Sequence, residues 1–347
     1  MSEQPLAIID SGMVTGVGLT SAVSCAAIRC AIDNFQETRF MDKGGEWIMG
    51  CEVPLEEPWR GKTKLIKMLS TALFELFEKH PKLNTEEVPL LLCLSEHDRP
   101  GRVIDDDNTF FISLLDEMEI EFHEKSRVIA QGRVSVSVAL ARARELIYKK
   151  TVPQVIIAGV DGLLVGSGLS VYEDRERLLT SQNSNGFIPG EAAAAILVSR
   201  PVTDGEPHLI CNGLGFGVEP STIDSDLPFR ADGFVQAIQE VTADAGCSLG
   251  DVDFQIASVS GEQYWFKEAS LSVLRTLRER KEEFDIWHPA DCIGEVGAAI
   301  GPVMLSVALT AAKKGYAPGK NVICYLSNDD GKRAATILNY QQNSRAA

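Results

Sequence analysis

The sequence predicts an α/β fold made of two similar halves, and three observations carry that expectation. Short apolar runs of strand character alternate with helical stretches whose apolar residues recur at i, i+3 and i+4. The alternation starts afresh after about residue 205, and each half closes on paired strands. Several strands are apolar almost without interruption, as in "VPLLLCLS" (88–95), the pattern of strands covered by helices on both faces. A chain of 347 residues, 45% apolar and 24% charged, can bury a sizeable core of this kind.

In order, "LAIIDSGMV" (6–14) reads as a strand, and Thr20 as the N-cap of a helix running to about Asp33. Residues 62–79 read as a helix with Leu65, Leu69, Leu73 and Phe74 on one face. The strand at 88–95 is followed by an acidic loop and helix through "DDDNTFFISLLDEMEIEF". A helix at 134–149 feeds a buried strand, "PQVIIAGVDG" (153–162). Residues 163–184 form an excursion of loop and short helix, and "AAAAILVSR" (192–200) returns as a strand despite its alanines, because turn residues flank it. In the second half, strands are expected at 208–217 and 253–260, with helices at 233–245, 267–280 and 297–314. Strands at 321–327 and 333–340 close the chain. No linker separates the halves, 1–204 and 205–340, so they should pack as one body, with 341–347 a polar, disordered tail.

Composition excludes several functions. A net charge of −16 with no basic stripe argues against nucleic acid. The longest apolar run, 192–198, is far too short to span a membrane, and no secretory signal is visible. Eight cysteines are scattered without a CxxC pair, which argues against a metal site and for a reducing cytoplasm. "GLGFG" (213–217) and "GMVTGVG" (12–18) lack the strand–turn–helix spacing or the lysine of nucleotide-binding loops, so no cofactor is expected.

Five segments, in order, carry a family resemblance: "AIIDSGMVTGVGLTSAVSCAAIRCAI", "NGFIPGEAAAAILVSR", the stretch 210–261, "CIGEVGAAIGPVMLSVAL" and "CYLSNDDGKRAATIL". Together they resemble the β-ketoacyl synthases of the thiolase-like superfamily, over most of the chain. The resemblance implies a five-layer αβαβα fold and a homodimer, or a heterodimer with a synthase-like chain, in fatty acid or polyketide synthesis. It also implies the positions of a Cys-His-His triad: a thiolate at a helix N-terminus and two imidazoles that stabilise developing charge.

All three positions differ here. The nucleophile position falls on Arg133, with Ser135 and Ser137 the nearest hydroxyls, read as residues of a helix start. The first histidine position falls on Ser260, within "SVSGEQYW". The second falls on Gly294, or on Glu295 if the spacing slips by one, and the family's lysine falls near Pro289. The family's C-terminal glycine-rich loop has become "NDDGKR".

Other candidates stand beside these. Cys292, with His288 four residues earlier, could make a displaced nucleophile, although packing explains it as well. Glu295 reads either as a proton carrier or as an acid favoured by a helix N-terminus. Glu191 reads as structural, accepting backbone N–H bonds to secure a turn. Arg60, Lys62, Lys64 and Lys67 form the one basic cluster, either a dock for an acidic carrier protein or a solvated helix face. Residues 98–124, acidic with interspersed Phe110, Phe111 and Ile112, read equally as a partner edge or a cover for the core.

The expected function is therefore that of a catalytically inactive synthase-like protein acting by binding. It would be a subunit of the chain-length-factor kind, or an accessory or client-binding protein like the triad-less thiolase-like proteins encoded beside type VI secretion effectors. The alternatives are an acyltransferase with relocated chemistry and an acyl-chain sensor.

Overall fold

The computed structural model describes residues 4–201 and 207–341. In chain order these form β1 (Leu6–Thr15), α1 (Ser21–Arg29), β2 (Gln36–Met41), β3 (Trp47–Gly50), α2 (Gly61–Lys79), β4 (Leu90–Leu94) and α3 (Asp107–Met118). There follow β5 (Arg127–Ala130), α4 (Ser135–Lys149), β6 (Gln154–Gly162), α5 (Gly166–Asp174) and β7 (Glu191–Ser199). The second half has β8 (His208–Val218), α6 (Asp232–Ala245), β9 (Phe254–Ala257), α7 (Gln263–Thr276), β10 (Ile286–Trp287) and α8 (Ala290–Ile293). The chain closes with α9 (Ile300–Lys314), β11 (Asn321–Ser327) and β12 (Lys332–Gln341).

The strands order as β10-β9-β11-β12-β8-β1-β7-β6-β4-β5. Each half repeats one plan: β1-β7-β6-β4-β5 in the first and β8-β12-β11-β9-β10 in the second. The halves meet where β1 and β8 pair antiparallel, Leu6 with Cys211 through Ile8 with Leu209.

Helices α4 and α9 lie between the half-sheets. Their residues, such as Leu140 and Leu305, share one core with Leu91 and Ile157 of the first half-sheet and Phe254 and Cys324 of the second. Helices α2 and α3 cover the outer face of the first half-sheet, and α6 and α7 that of the second. The result is the five-layer αβαβα arrangement. It also explains the unbroken apolar strands: on β4, Leu91 and Cys93 face the central helices, while Leu90, Leu92 and Leu94 face the outer ones.

The four alanines of β7 serve the same layering. Ala192 and Ala194 face inward and Ala193 and Ala195 outward, all fully buried between β1 and β6. Small side chains there let helices close on the sheet from both sides, as Gly159 of β6 does where a Cβ would come 2.9 Å from the Ala298 carbonyl.

Some boundaries differ from expectation. The Thr20 cap is present, its hydroxyl accepting the Val23 N–H at 3.3 Å, but α1 ends at Arg29, where the chain turns through Ala31 at φ 51°. Helix α7 starts and ends four residues before the expected 267–280. The ribbon β2–β3 and the short strands β5 and β10 were not anticipated. Within 98–124, α3 buries Phe110, Leu114 and Met118 against the core, leaving Ile112 exposed. The expected boundary between halves, and all of the expected tail but Gln341, lie outside the described residues.

Candidate functional site

The N-termini of α4 and α9 converge on one place. Each helix follows a single 3₁₀ turn, Gly132–Val134 before α4 and Gly297–Ala299 before α9. Gly132 (φ 60°) and Gly297 (φ 52°) open these turns with left-handed backbone. Both must also lack a side chain: a Cβ on Gly132 would overlap the Glu96 carboxylate, and one on Gly297 the Asp161 carboxylate.

Between the two turns lies a buried ion-pair network. Arg133 Nε donates to Glu295 Oε1 at 3.0 Å, while its Nη1 donates to Asp329 Oδ1 at 3.0 Å and to the Ser327 carbonyl at 3.1 Å. Glu295 is further engaged by the Ser260 hydroxyl at 2.6 Å and the Gly297 N–H at 2.8 Å. Asp329 also accepts from Arg177 at 2.6 Å, and Arg177 makes a two-pronged bond to Glu262 at 2.8 and 2.9 Å. Trp265 donates its indole N–H to Glu262 at 2.8 Å and lies 5.4 Å under the Arg133 guanidinium.

The charges depend on one another. Burial alone would raise the Asp329 carboxyl, yet the flanking Arg133 and Arg177 guanidiniums hold it well below the usual carboxylate range. Burial would likewise lower Arg133, but Glu295 and Asp329 outweigh it and raise it further. Next to the network, Arg99 pairs with Asp161 at 2.8 Å, and burial pushes the Asp161 carboxyl up.

The structure thus joins two of the sequence candidates, Arg133 and Ser260, through a third, Glu295. Gly294 does not meet them. It is a turn residue at φ 72°, where a Cβ would come 2.6 Å from the Ile188 carbonyl, and its neighbour Glu295 supplies the side chain. Ser135 donates to the Ile129 carbonyl at 3.0 Å, and Ser137 lies 3.3 Å from the Thr336 hydroxyl, so both are spent on packing.

Cys292 and His288 line a different depression, of about 400 Å³, with Arg29, Trp287 and Tyr316. Burial pushes the Cys292 thiol up to about 11, and no hydrogen bond joins it to His288 among the described residues. The imidazole stacks edge-on against Phe266, with Nδ1 2.8 Å from an Asp291 carboxylate oxygen but out of line with it. A thiol so held is a poor nucleophile at neutral pH.

Glu191 takes the structural role expected of it: Oε2 accepts the Val53 N–H at 3.1 Å and pairs with Lys64 at 2.6 Å. That pairing removes Lys64 from the basic cluster, of which Arg60 stays exposed and Lys62 half-buried. Lys64 is buried on Glu191 and Glu52, and Lys67 is bonded to Glu117 at 2.6 Å.

Sequence reasoning missed Arg177, Glu262 and Asp329. Asp329 sits in the altered "NDDGKR" loop, a usable signal, whereas Arg177 lies in the excursion before β7 with nothing local to mark it. Asn328 of the same loop braces α4, accepting the Val134 N–H at 3.2 Å and donating to the Gln131 carbonyl at 2.7 Å.

A cavity of about 220 Å³ opens above Arg133 and Glu295, and no cysteine or histidine lines it. Among the described residues, no group of three or more His, Cys, Asp or Glu side chains is placed to hold a metal ion, and no helix is long and apolar enough to cross a membrane.

No protein-family model and no curated protein matches the chain. Solved structures do. A ketosynthase in complex with its chain length factor from Xenorhabdus doucetiae is similar over 97% of this chain and 98% of that one, at 13% identity and TM-score 0.73. The ishigamide ketosynthase/chain length factor is similar over 97% and 99%, at 14% identity and TM-score 0.77. A ketosynthase from module 6 of the bacillaene synthase of Bacillus subtilis 168 is similar over 99% of this chain and 73% of that one, at 12% identity and TM-score 0.75.

Proposed function

We propose that this chain, ketosynthase-like and thiolase-like in fold, is catalytically inactive and works by binding another protein as a structural or accessory subunit. The observation that carries the reading is Arg133 at the start of α4, locked by Glu295 and Asp329. Condensation of the synthase kind needs a thiolate there and two imidazoles opposite. A guanidinium stays protonated and has no lone pair to attack with. Ser260 has no imidazole as base, and its partner Glu295 is already engaged by Arg133 and the Gly297 N–H. Loss of the nucleophile alone removes most of a covalent route.

The partner we favour is a synthase-like chain, either a distinct one or a second copy. Two similar structures are described as a ketosynthase with a chain length factor, which supports the first choice. The sheet supports either. Among the described residues β5 is its last strand, with one edge unpaired and Val128, Ile129 and Ala130 half-buried, so a second chain can extend it. A client protein of the secretion-effector kind would use the same binding role. Eight free cysteines suit a reducing cytoplasm.

The test is turnover. With an acyl thioester and a malonyl carrier protein, the chain alone should release neither carbon dioxide nor condensation product, and any product made with a co-purified partner should depend on the partner's own nucleophile. Product formed by this chain alone would end the proposal.

A further inference from the structure

The depression that holds Cys292 lies where α1, β10, α8 and the end of α9 meet. Ile28, Ile286 and Val307 give it an apolar wall. The rings of Trp287 and Tyr316 line it as well, their centres 6.3 Å apart and their planes 27° from parallel. A volume of about 400 Å³ with apolar and aromatic walls is characteristic of small-molecule pockets. Its polar groups are few: Arg29, the neighbours His288 and Asp291, and the buried Cys292 thiol.

Arg29 brings a charge that nothing balances. It is the last residue of α1, and no carboxylate or carbonyl is bonded to it among the described residues. Its guanidinium lies 4.2 Å from the centre of the Tyr316 ring. That ring is no counter-charge, because burial pushes the Tyr316 hydroxyl up to about 12. A guanidinium laid over a ring keeps its N–H donors at its rim, free for an acceptor. The dipole favours a cation at this end of α1, which accounts for the position of Arg29 and leaves its donors unspent. The one acid of the lining, Asp291, is 66% exposed, with its carboxylate 2.8 Å from His288 Nδ1.

From these groups we infer that the depression binds a small organic monocarboxylate with an apolar body. The free N–H groups of Arg29 take the carboxylate, and the body lies along Trp287, Tyr316 and Val307. An ammonium would meet Arg29 as a like charge. A polyphosphate needs several cations where the lining offers one arginine, and the net charge of −16 repels it. Such a site requires neither catalytic inactivity nor a protein partner, so it stands apart from the accessory-subunit reading.

The experiment is calorimetric titration of the full chain near pH 7 with phenylbutyrate and with octanoate. Phenylbutyramide and phenylbutylamine serve as the neutral and cationic controls. Saturable binding of a carboxylate is expected, weakened at least about tenfold for the amide and the amine. Tighter binding of phenylbutyrate assigns an aromatic acid, and tighter binding of octanoate an aliphatic one. Arg29→Gln, at an exposed helix end with no hydrogen bond to lose, should weaken the acid roughly tenfold and leave the amide unchanged. Arg278→Gln, an exposed arginine outside the depression, should change neither. Trp287 reports the place: binding should alter tryptophan fluorescence in the wild type and not in Trp287→Phe, although the chain has four tryptophans. No saturable binding of either acid at about 10 mM, an amide or amine bound as tightly as the acid, unchanged affinity in Arg29→Gln, or a fluorescence change that survives Trp287→Phe would overturn the proposal.

Discussion

The N-termini of α4 and α9 are built alike: each follows a 3₁₀ turn opened by a positive-φ glycine, and each abuts a carboxylate, the half-buried Glu96 for α4 and the buried Asp161 for α9. They differ in what they hold. At α9 the free N–H groups are met by acids, Gly297 by Glu295 and Ala298 by Asp161 at 3.1 Å, as the helix dipole favours. At α4 the neutral Asn328 takes the Val134 N–H, and the charge beside the helix start is the guanidinium of Arg133. A cation there is disfavoured by the dipole. It persists because two carboxylates of the second half flank it, so the cation clamps the two halves together.

That contrast can be broken most forcefully at its centre. Arg133→Met strands the buried Glu295 without a cation and leaves the partly exposed Asp329 to Arg177 alone, and should cost about 3–5 kcal/mol in denaturant unfolding, most of it from Glu295. Adding Glu295→Gln to that variant should recover part of the loss, because the stranded charge goes with it. An equal or greater loss in the double variant would mean that the pair contributes nothing beyond packing.

The next effect is in acid. The Asp329 carboxyl is held below its unfolded value of about 3.9. Its contribution is therefore complete above that pH and is lost as pH falls through the lower folded-state value. Asp329→Asn should reduce stability at pH 7 and flatten the acid limb of the unfolding profile.

Glu96 has the opposite sign. Its folded-state value, about 7, lies above its unfolded one, so its ionisation costs stability as pH rises from about 4.3 through 7. Glu96→Gln should raise the melting temperature at pH 8 and leave it unchanged at pH 4. The last contrast is at Cys292: thiol labelling under native conditions should reach exposed Cys30 well before the buried Cys292.

The layered fold was legible because its signals are local and repeated: apolar strands such as 88–95, helical periodicity such as Leu65-Leu69-Leu73, and the small-residue strand after Glu191. The short strands β5 and β10 escaped because two to four residues carry no period, and the β2–β3 ribbon is mostly exposed. At the site, the order of segments singled out Arg133, Ser260 and Gly294, or Glu295 if the spacing slips by one, and the fold joins Arg133 and Ser260 through Glu295. Their partners could not be placed that way. Arg177 is 152 residues from Asp329 and 85 from Glu262, and no spacing rule reports a contact closed by the tertiary fold. The choice between Gly294 and Glu295 likewise needed the turn itself.

The most direct measurement is the intact mass of the chain after prolonged exposure to an excess of acyl thioester. The expected result is an unmodified chain, with Arg133 locked in its ion pairs and Ser260 and Cys292 both unreactive. A stoichiometric acyl adduct on Ser260 or Cys292 would contradict the account.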